Sequence, residues 1–177
     1  YLEEDGVDKR IEKINQTMRD YENNGVFQTL KNSYVYLERT MKDGRIRHGV
    51  IGVLDLEEYD YNKGSGSLIR ATEGTVLSRI PPRVRIRENA PLELPHIMIL
   101  IDDAHGTVIE PVAAEKNKLE KIYDFDLMQQ SGHCAGYRID GDSETAEKIQ
   151  NGLAKLAQKE IVEKKYHVTD MPALQFA

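Results

Sequence analysis

A run of arginines without lysine marks the part of the chain best suited to bind an anion. The sequence has eleven arginines, and five of them fall within residues 70–87: Arg70, Arg79, Arg83, Arg85 and Arg87. A guanidinium group offers a rigid donor fork that matches the oxygens of phosphate or carboxylate, whereas lysine is a mobile point charge. Each charge-assisted hydrogen bond contributes about 1.5–3 kcal/mol, so two or three converging arginines suffice for micromolar affinity. We predict that Arg70, Arg79, Arg83 and Arg87 bind phosphate groups.

Polar residues beside these arginines could bind the anion as well, or take part in catalysis. The run Thr72-Glu73-Gly74-Thr75 is able to form a turn and a helix start, whose free N–H groups favour an anion. Thr75 therefore joins the predicted phosphate ligands, and Glu73 is the candidate catalytic base or magnesium ligand. The alternative for Glu73 is a carboxylate that merely stabilises a helix N-terminus. Asp102 is a weaker candidate metal ligand, because acidic residues after a strand more often form turns.

The arginines also have a structural interpretation. Clusters of this kind often form solvated faces or ion-pair networks, and carboxylates are available nearby at Glu57, Glu88 and Glu93. The sequence alone leaves both interpretations open.

The element that must position the arginines is predicted to be a helix. Residues 83–87 alternate as a strand would, but Pro81-Pro82 breaks a first helix, and Pro82 is able to occupy the first turn of a second. On that helix the side chains at 80, 84 and 87 share one face. We therefore predict a short helix after the two prolines.

The remaining elements alternate between helices and strands. Asp43-Gly44 between two β-rich runs is a strong hairpin signal. Ser143 or Asp142 is a suitable N-cap for an amphipathic helix whose apolar face includes Ile149 and Leu153. The full set of predicted elements comprises a helix over 7–26, strands over 33–41, 45–56, 96–102, 122–127 and 133–140, a helix over 112–121, a helix from 143 past 161, and a strand over 171–177. The fold class is α+β, with a central mixed sheet that contains the hairpin and is flanked by helices.

Composition and charge exclude several classes of protein. The formal net charge is −6, so the field of the whole molecule repels nucleic acid and acidic membranes. The longest apolar runs are far shorter than the roughly 20 residues that span a bilayer. The single cysteine, Cys134, precludes an intrachain disulfide and fits a reducing, cytoplasmic location. No P-loop, dinucleotide fingerprint, serine elbow or zinc-binding spacing is present.

The two ends of the sequence suggest that it is one piece of a longer protein. It opens on Tyr1 rather than methionine and closes on an apolar run over 171–177. We expect residues 1–177 to form a single domain, the central section of that protein. An exposed apolar edge at 174–176 favours a homodimer.

Two motifs resemble one family of bacterial and archaeal proteins. The first is Gly-Val-Ile-Gly-Val-Leu-Asp-Leu-Glu-Glu-Tyr-Asp-Tyr over 49–61, and the second is Ile-Arg-Ala-Thr-Glu-Gly-Thr over 69–75. Together with Pro-His-Ile-Met-Ile-Leu over 95–100 and Ala-Leu-Gln-Phe-Ala over 173–177, they resemble the domain of unknown function 1015. Glu73 and Thr75 match the family pattern, whereas Thr72 stands where that pattern commonly has histidine.

The resemblance implies a function for the whole protein. Family members continue into an Asp-Gly-His type of motif similar to one in the ParB and sulfiredoxin-like superfamily, which includes free-serine kinases. It therefore implies a nucleotide-dependent phosphotransferase that acts on a small hydroxyl substrate such as serine, with ATP or ADP and magnesium as cofactors. Glu73 would then be the base or a magnesium ligand. The alternative is a nucleotide- or anion-binding regulatory module without chemistry.

Overall fold

The computed structural model describes residues 5–55, 57, 69–71, 76–157 and 174–176, the segments 69–71 and 174–176 as backbone only. Four α-helices lie in this part of the chain: α1 Val7–Asn23, α2 Ile80–Arg87, α3 Glu110–Glu115 and α4 Glu144–Leu156. The strands are β1 Ser33–Thr40, β2 Ile46–Ile51, β3 Ile69–Ala71, β4 Ile99–Ile101, β5 Glu120–Asp126, β6 His133–Asp140 and β7 Leu174–Phe176. The predicted α+β class is confirmed.

Four of the strands form an antiparallel sheet in the order β2-β1-β6-β5. Strands β1 and β2 are the predicted hairpin, and Gly44 takes the positive φ of 83° that its turn requires. Every neighbouring pair in this sheet is antiparallel, where a mixed sheet was expected. Strands β3, β7 and β4 form a second, three-stranded sheet in that order. Strand β6 covers 133–140 as predicted, β4 is shorter than its predicted range of 96–102, and β7 lies within the predicted range of 171–177, the rest of which is outside the described residues.

The hydrophobic core lies on one face of the four-stranded sheet. Tyr36 and Ile139 are fully buried there, and Ile149 of α4 is 2% exposed. The other core residues come from the same strands, from α3 and α4, and from the turn before α3: Val108, Val112, Ala135, Tyr137 and Ala146. These positions alternate along β1 and β6, as expected for a sheet with one face covered by helices.

Local signals explain where the helices begin and end. The Ser143 hydroxyl accepts a hydrogen bond from the Ala146 N–H at 3.2 Å, which confirms the predicted N-cap of α4. Helix α3 is shorter than predicted because the chain passes through a 3-10 turn at Lys116–Lys118 and enters β5 at Glu120. Helix α1 ends at Asn23 with Asn24 as its C-cap, three residues before the predicted end at 26.

The chain divides into two compact units, so the single domain predicted for 1–177 stays a prediction. The first unit comprises residues 1–30, 71–99 and 176–177, and includes α1 and α2. The second comprises 31–70 and 100–175, and includes the four-stranded sheet with α3 and α4. No helix in the described part of the chain is long and apolar enough to cross a membrane.

Candidate anion-binding site

Helix α2 carries the predicted arginines on a short, solvent-facing scaffold. A 3-10 turn at Leu77–Arg79 leads directly into the helix, and the two prolines at its start occupy positions where a missing N–H costs no hydrogen bond. The helix ends where the Glu88 N–H donates to the Val84 carbonyl at 2.8 Å. None of its residues is buried, so its side chains are accessible to a ligand.

Three of the arginines lie along one side of this helix. Arg79, Arg83 and Arg87 are spaced four residues apart, and Arg79 already has helical backbone angles of −87° and −10°. Side chains at this spacing share a face, with a rise of about 6 Å from one to the next. The predicted helix therefore converts a sequence cluster into a linear row of guanidinium groups, which we call the arginine row.

The arginines differ in whether a carboxylate neutralises them. Arg85 forms an ion pair with Asp8 of α1 at 2.6 Å, and Arg87 forms one with Glu93 at 3.2 Å. Within residues 5–55, 57 and 76–157, the side chains of Arg79 and Arg83 make no ion pair or hydrogen bond. Among the described side chains, the ion-pair network expected as the alternative thus accounts for Arg85 and Arg87 but not for Arg79 and Arg83. No side-chain donor of Arg79 or Arg83 is used by a described residue.

The other predicted site residues contribute less to this arrangement. Arg70 lies in β3, where the backbone alone is described, and Glu73 and Thr75 lie outside the described residues. Asp102 is exposed and directly follows β4. Its neighbour Asp103 accepts hydrogen bonds from the Thr107 and Val108 N–H groups at 2.6 and 2.9 Å, which is turn chemistry. Among the described residues, no group of three acidic, histidine or cysteine side chains is placed to hold a metal ion.

A second polar cluster, in the sheet unit, was not predicted. We call Tyr36, Glu38, His48 and Lys116 the tyrosine–glutamate cluster. The Tyr36 hydroxyl lies 2.8 Å from Glu38 Oε1 and 2.7 Å from His48 Nδ1, and Lys116 Nζ donates to Glu38 Oε2 at 2.6 Å. A hydroxyl has one hydrogen, so all contacts are satisfied when His48 Nδ1–H donates to Tyr36 and Tyr36 donates to Glu38. The cluster links the hairpin to the 3-10 turn after α3.

Hydrogen bonding and burial determine the ionisation of this cluster. Partial burial opposes the charge of Glu38, but the hydrogen bonds from Lys116 and Tyr36 outweigh it and hold the pKa of that carboxyl below its usual value. Burial and the neighbouring Glu38 raise the pKa of Tyr36, so this hydroxyl stays protonated. The hairpin register pairs Glu38 with His48 directly, so the Asp-Gly turn was a signal that could have predicted half of the cluster.

A third polar group lies at the end of β5 and β6. His133 contacts Asp124 through Nε2 at 2.7 Å and Asp126 through Nδ1 at 2.9 Å. Because both ring nitrogens face carboxylates, the imidazolium form satisfies both contacts. The hydrogen bond with Asp126 and the charge of Asp124 raise the pKa of His133. His133 is the first residue of β6, at the start of the predicted strand over 133–140.

Comparison with known proteins places the chain in a family. The model of the family described as "Protein of unknown function (DUF1015)" matches residues 1–161. The chain belongs to this family, as the motifs over 49–61 and 69–75 indicated. Neither the curated proteins nor the solved structures yield a match.

Proposed function

We propose that this member of the DUF1015 family binds the phosphate groups of a nucleotide through Arg79 and Arg83. The observation that carries the proposal is the difference between neighbouring arginines on one helix. Arg85 and Arg87 are paired with Asp8 and Glu93, whereas the described residues offer no carboxylate to Arg79 or Arg83. A bound anion would supply the missing counter-charge.

The number and strength of the hydrogen bonds that the two arginines can donate support phosphate as the ligand. A phosphate offers several oxygens at once, and two guanidinium forks one helical turn apart can each donate two hydrogen bonds to such a group. At about 1.5–3 kcal/mol for each charge-assisted bond, the pair is sufficient for micromolar binding. The net charge of −6 disfavours anions elsewhere on the surface, so affinity must come from a local cluster of this kind.

Phosphotransfer is the chemical step that we add to this binding function. Glu73 would act as the base or as a magnesium ligand, ATP or ADP would be the nucleotide, and a small hydroxyl compound such as serine would be the substrate. Catalysis of this kind depends mostly on positioning and charge neutralisation. Its support is the match of Glu73 and Thr75 to the family pattern. A regulatory module would use the same arginines without turnover.

A thermal-shift experiment with matched variants tests the binding function. The protein is titrated with ATP, ADP, CTP, pyrophosphate and inorganic phosphate, with and without magnesium and serine. A ligand at a hundred times its dissociation constant adds about 2.7 kcal/mol, or roughly 5–11 °C for a chain of this size. The double variant Arg79→Gln with Arg83→Gln should abolish the shift while its own unfolding temperature stays within a few degrees of the wild type.

The control is Arg85→Gln, which removes a guanidinium from the same helix but one that is already paired with Asp8. This variant should keep the nucleotide shift. Equal losses in the control and the double variant would show a nonspecific charge effect, and a collapse of the unliganded double variant would assign the arginines to structure.

A second variant separates phosphotransfer from binding. Glu73→Gln should retain the thermal shift and lose any transfer of phosphate from ATP to serine, measured as phosphoserine formed. Turnover that is unchanged in Glu73→Gln would remove this residue from the catalytic role.

A further inference from the structure

The sheet face opposite the hydrophobic core contains a groove at one end. Side chains from Leu37 and Arg39 of β1 and Cys134 of β6 form its floor, and the turn Leu127–Ser131 forms its wall. Its volume is about 460 Å³, within the range of about 300–1,000 Å³ that is usual for small-molecule sites. We call it the β1–β6 groove.

The wall of this groove is a turn that the fold holds in an unusual conformation. Gln129 and Gln130 have positive φ angles of 57° and 54°, and Gly132 has a φ of 115°. A Cβ at Gly132 would lie 2.0 Å from the Thr40 carbonyl oxygen. Only glycine at this position therefore allows the turn to pass so close to β1. The wall is therefore fixed in place beside the floor. It also carries Met128, which is 87% exposed and borders the groove with an apolar side chain.

The floor contains an arginine that is not neutralised by a carboxylate of the described residues. Arg39 Nε is buried, and it has no hydrogen-bond partner among these residues. Arg39 is directly opposite the exposed Arg47 in the β1–β2 register, so a second cation extends from the same face of the sheet. Like charges placed opposite each other destabilise a sheet. An anion in the groove would pair with Arg39 and relieve this repulsion.

Nearby groups of the described chain do not provide an anion for Arg39. Asp43 interacts electrostatically with Arg47, and both of its carboxylate oxygens accept hydrogen bonds from Arg45. Burial raises the pKa of the Cys134 thiol, and the charge of Arg39 opposes this effect only in part. At neutral pH the thiol is therefore uncharged, and the groove combines an apolar lining with the guanidinium of Arg39.

We propose that the β1–β6 groove binds a small amphipathic carboxylate, with its carboxylate on Arg39 and its apolar body against Leu37, Leu127 and Met128. The guanidinium fork matches the two oxygens of a carboxylate. The apolar lining excludes water from the body of the ligand and so contributes the hydrophobic part of the affinity. This site is separate from the arginine row and does not depend on the function proposed for it.

The single cysteine provides a direct test, because Cys134 lines the groove. Alkylation of Cys134 by N-ethylmaleimide is followed by mass spectrometry in the presence of decanoate, decanol or acetate, below the concentration at which decanoate forms micelles. Decanoate at ten times its dissociation constant should slow alkylation by about tenfold, since only the free protein reacts. Decanol lacks the charge and acetate lacks the apolar body, so neither should protect at the same concentration.

Variants identify the group that recognises the carboxylate. Arg39→Met should remove the protection by decanoate, whereas Arg45→Met, which changes the same charge on the same hairpin, should keep it. Equal protection by decanol and decanoate, or full protection in a folded Arg39→Met, would overturn the proposal. If Arg39→Met fails to fold, the three compounds compared on the wild type still decide between a carboxylate site and a merely apolar surface.

Discussion

Removal of the Tyr36 hydroxyl is the sharpest test of how the sheet unit is held together. In Tyr36→Phe the ring remains in the core, so no cavity forms and the hydrophobic contribution is retained. The hydroxyl that lies 2.8 Å from Glu38 Oε1 and 2.7 Å from His48 Nδ1 is lost. Both partners then have to find water or remain unsatisfied.

The exposure of the two partners determines the magnitude. The His48 side chain is 35% exposed and can be hydrated, whereas that of Glu38 is only 12% exposed. Leaving a buried acceptor without its donor costs about 1–3 kcal/mol, and Lys116 still compensates part of the Glu38 charge. We therefore expect a loss of about 1–2 kcal/mol, which corresponds to a fall of roughly 2–8 °C in the unfolding temperature.

The assay compares Tyr36→Phe with Tyr34→Phe by thermal and urea unfolding. Tyr34 is on the same face of β1, and its hydroxyl accepts one exposed hydrogen bond from Gln150 at 3.1 Å. Its loss should cost less than about 0.5 kcal/mol. Hydrogen exchange of the β1 and β6 amides locates the effect in the sheet unit. Equal stability of the two variants would refute the assignment of a structural role to the tyrosine–glutamate cluster.

Two further predictions concern residues of the same sheet unit. The pKa of His133 is raised in the folded state, so its contribution to stability is complete below its ordinary value of 6.5 and is lost as the pH rises through the higher folded value. His133→Asn should remove this part of the pH dependence of urea unfolding, and an unchanged pH profile would argue against an imidazolium between Asp124 and Asp126. Ser143→Ala removes the side-chain cap of α4 and should cost about 1 kcal/mol, whereas Ser143→Thr should retain most of the stability. Equal losses in the two variants would show that the hydroxyl is not acting as a cap.

Local sequence signals predicted the elements that carry the candidate site. The two prolines before Arg83 indicated a helix, although the face predicted for it contained residues 80, 84 and 87 and not the row of Arg79, Arg83 and Arg87. Asp43-Gly44 located the hairpin, and Ser143 located the start of α4. These predictions succeeded because turn and capping preferences act over a few residues.

Contacts between distant residues decided which of those side chains remain available to a ligand. Arg85 is neutralised by Asp8, 77 positions away in the chain, and Glu38 is bound by Lys116, 78 positions away. Neither pairing could be predicted, because a local pattern carries no information about which distant carboxylate a cation will meet. The same holds for Arg39, whose position opposite Arg47 follows from the hairpin register but whose buried Nε finds no partner among the described residues. The sequence by itself thus determined the family, the α+β class, the hairpin, the start of α4 and the helix that carries the arginines. The tertiary structure decided which of the described guanidinium groups are paired with a carboxylate, because ion pairing depends on distances that only the folded chain defines.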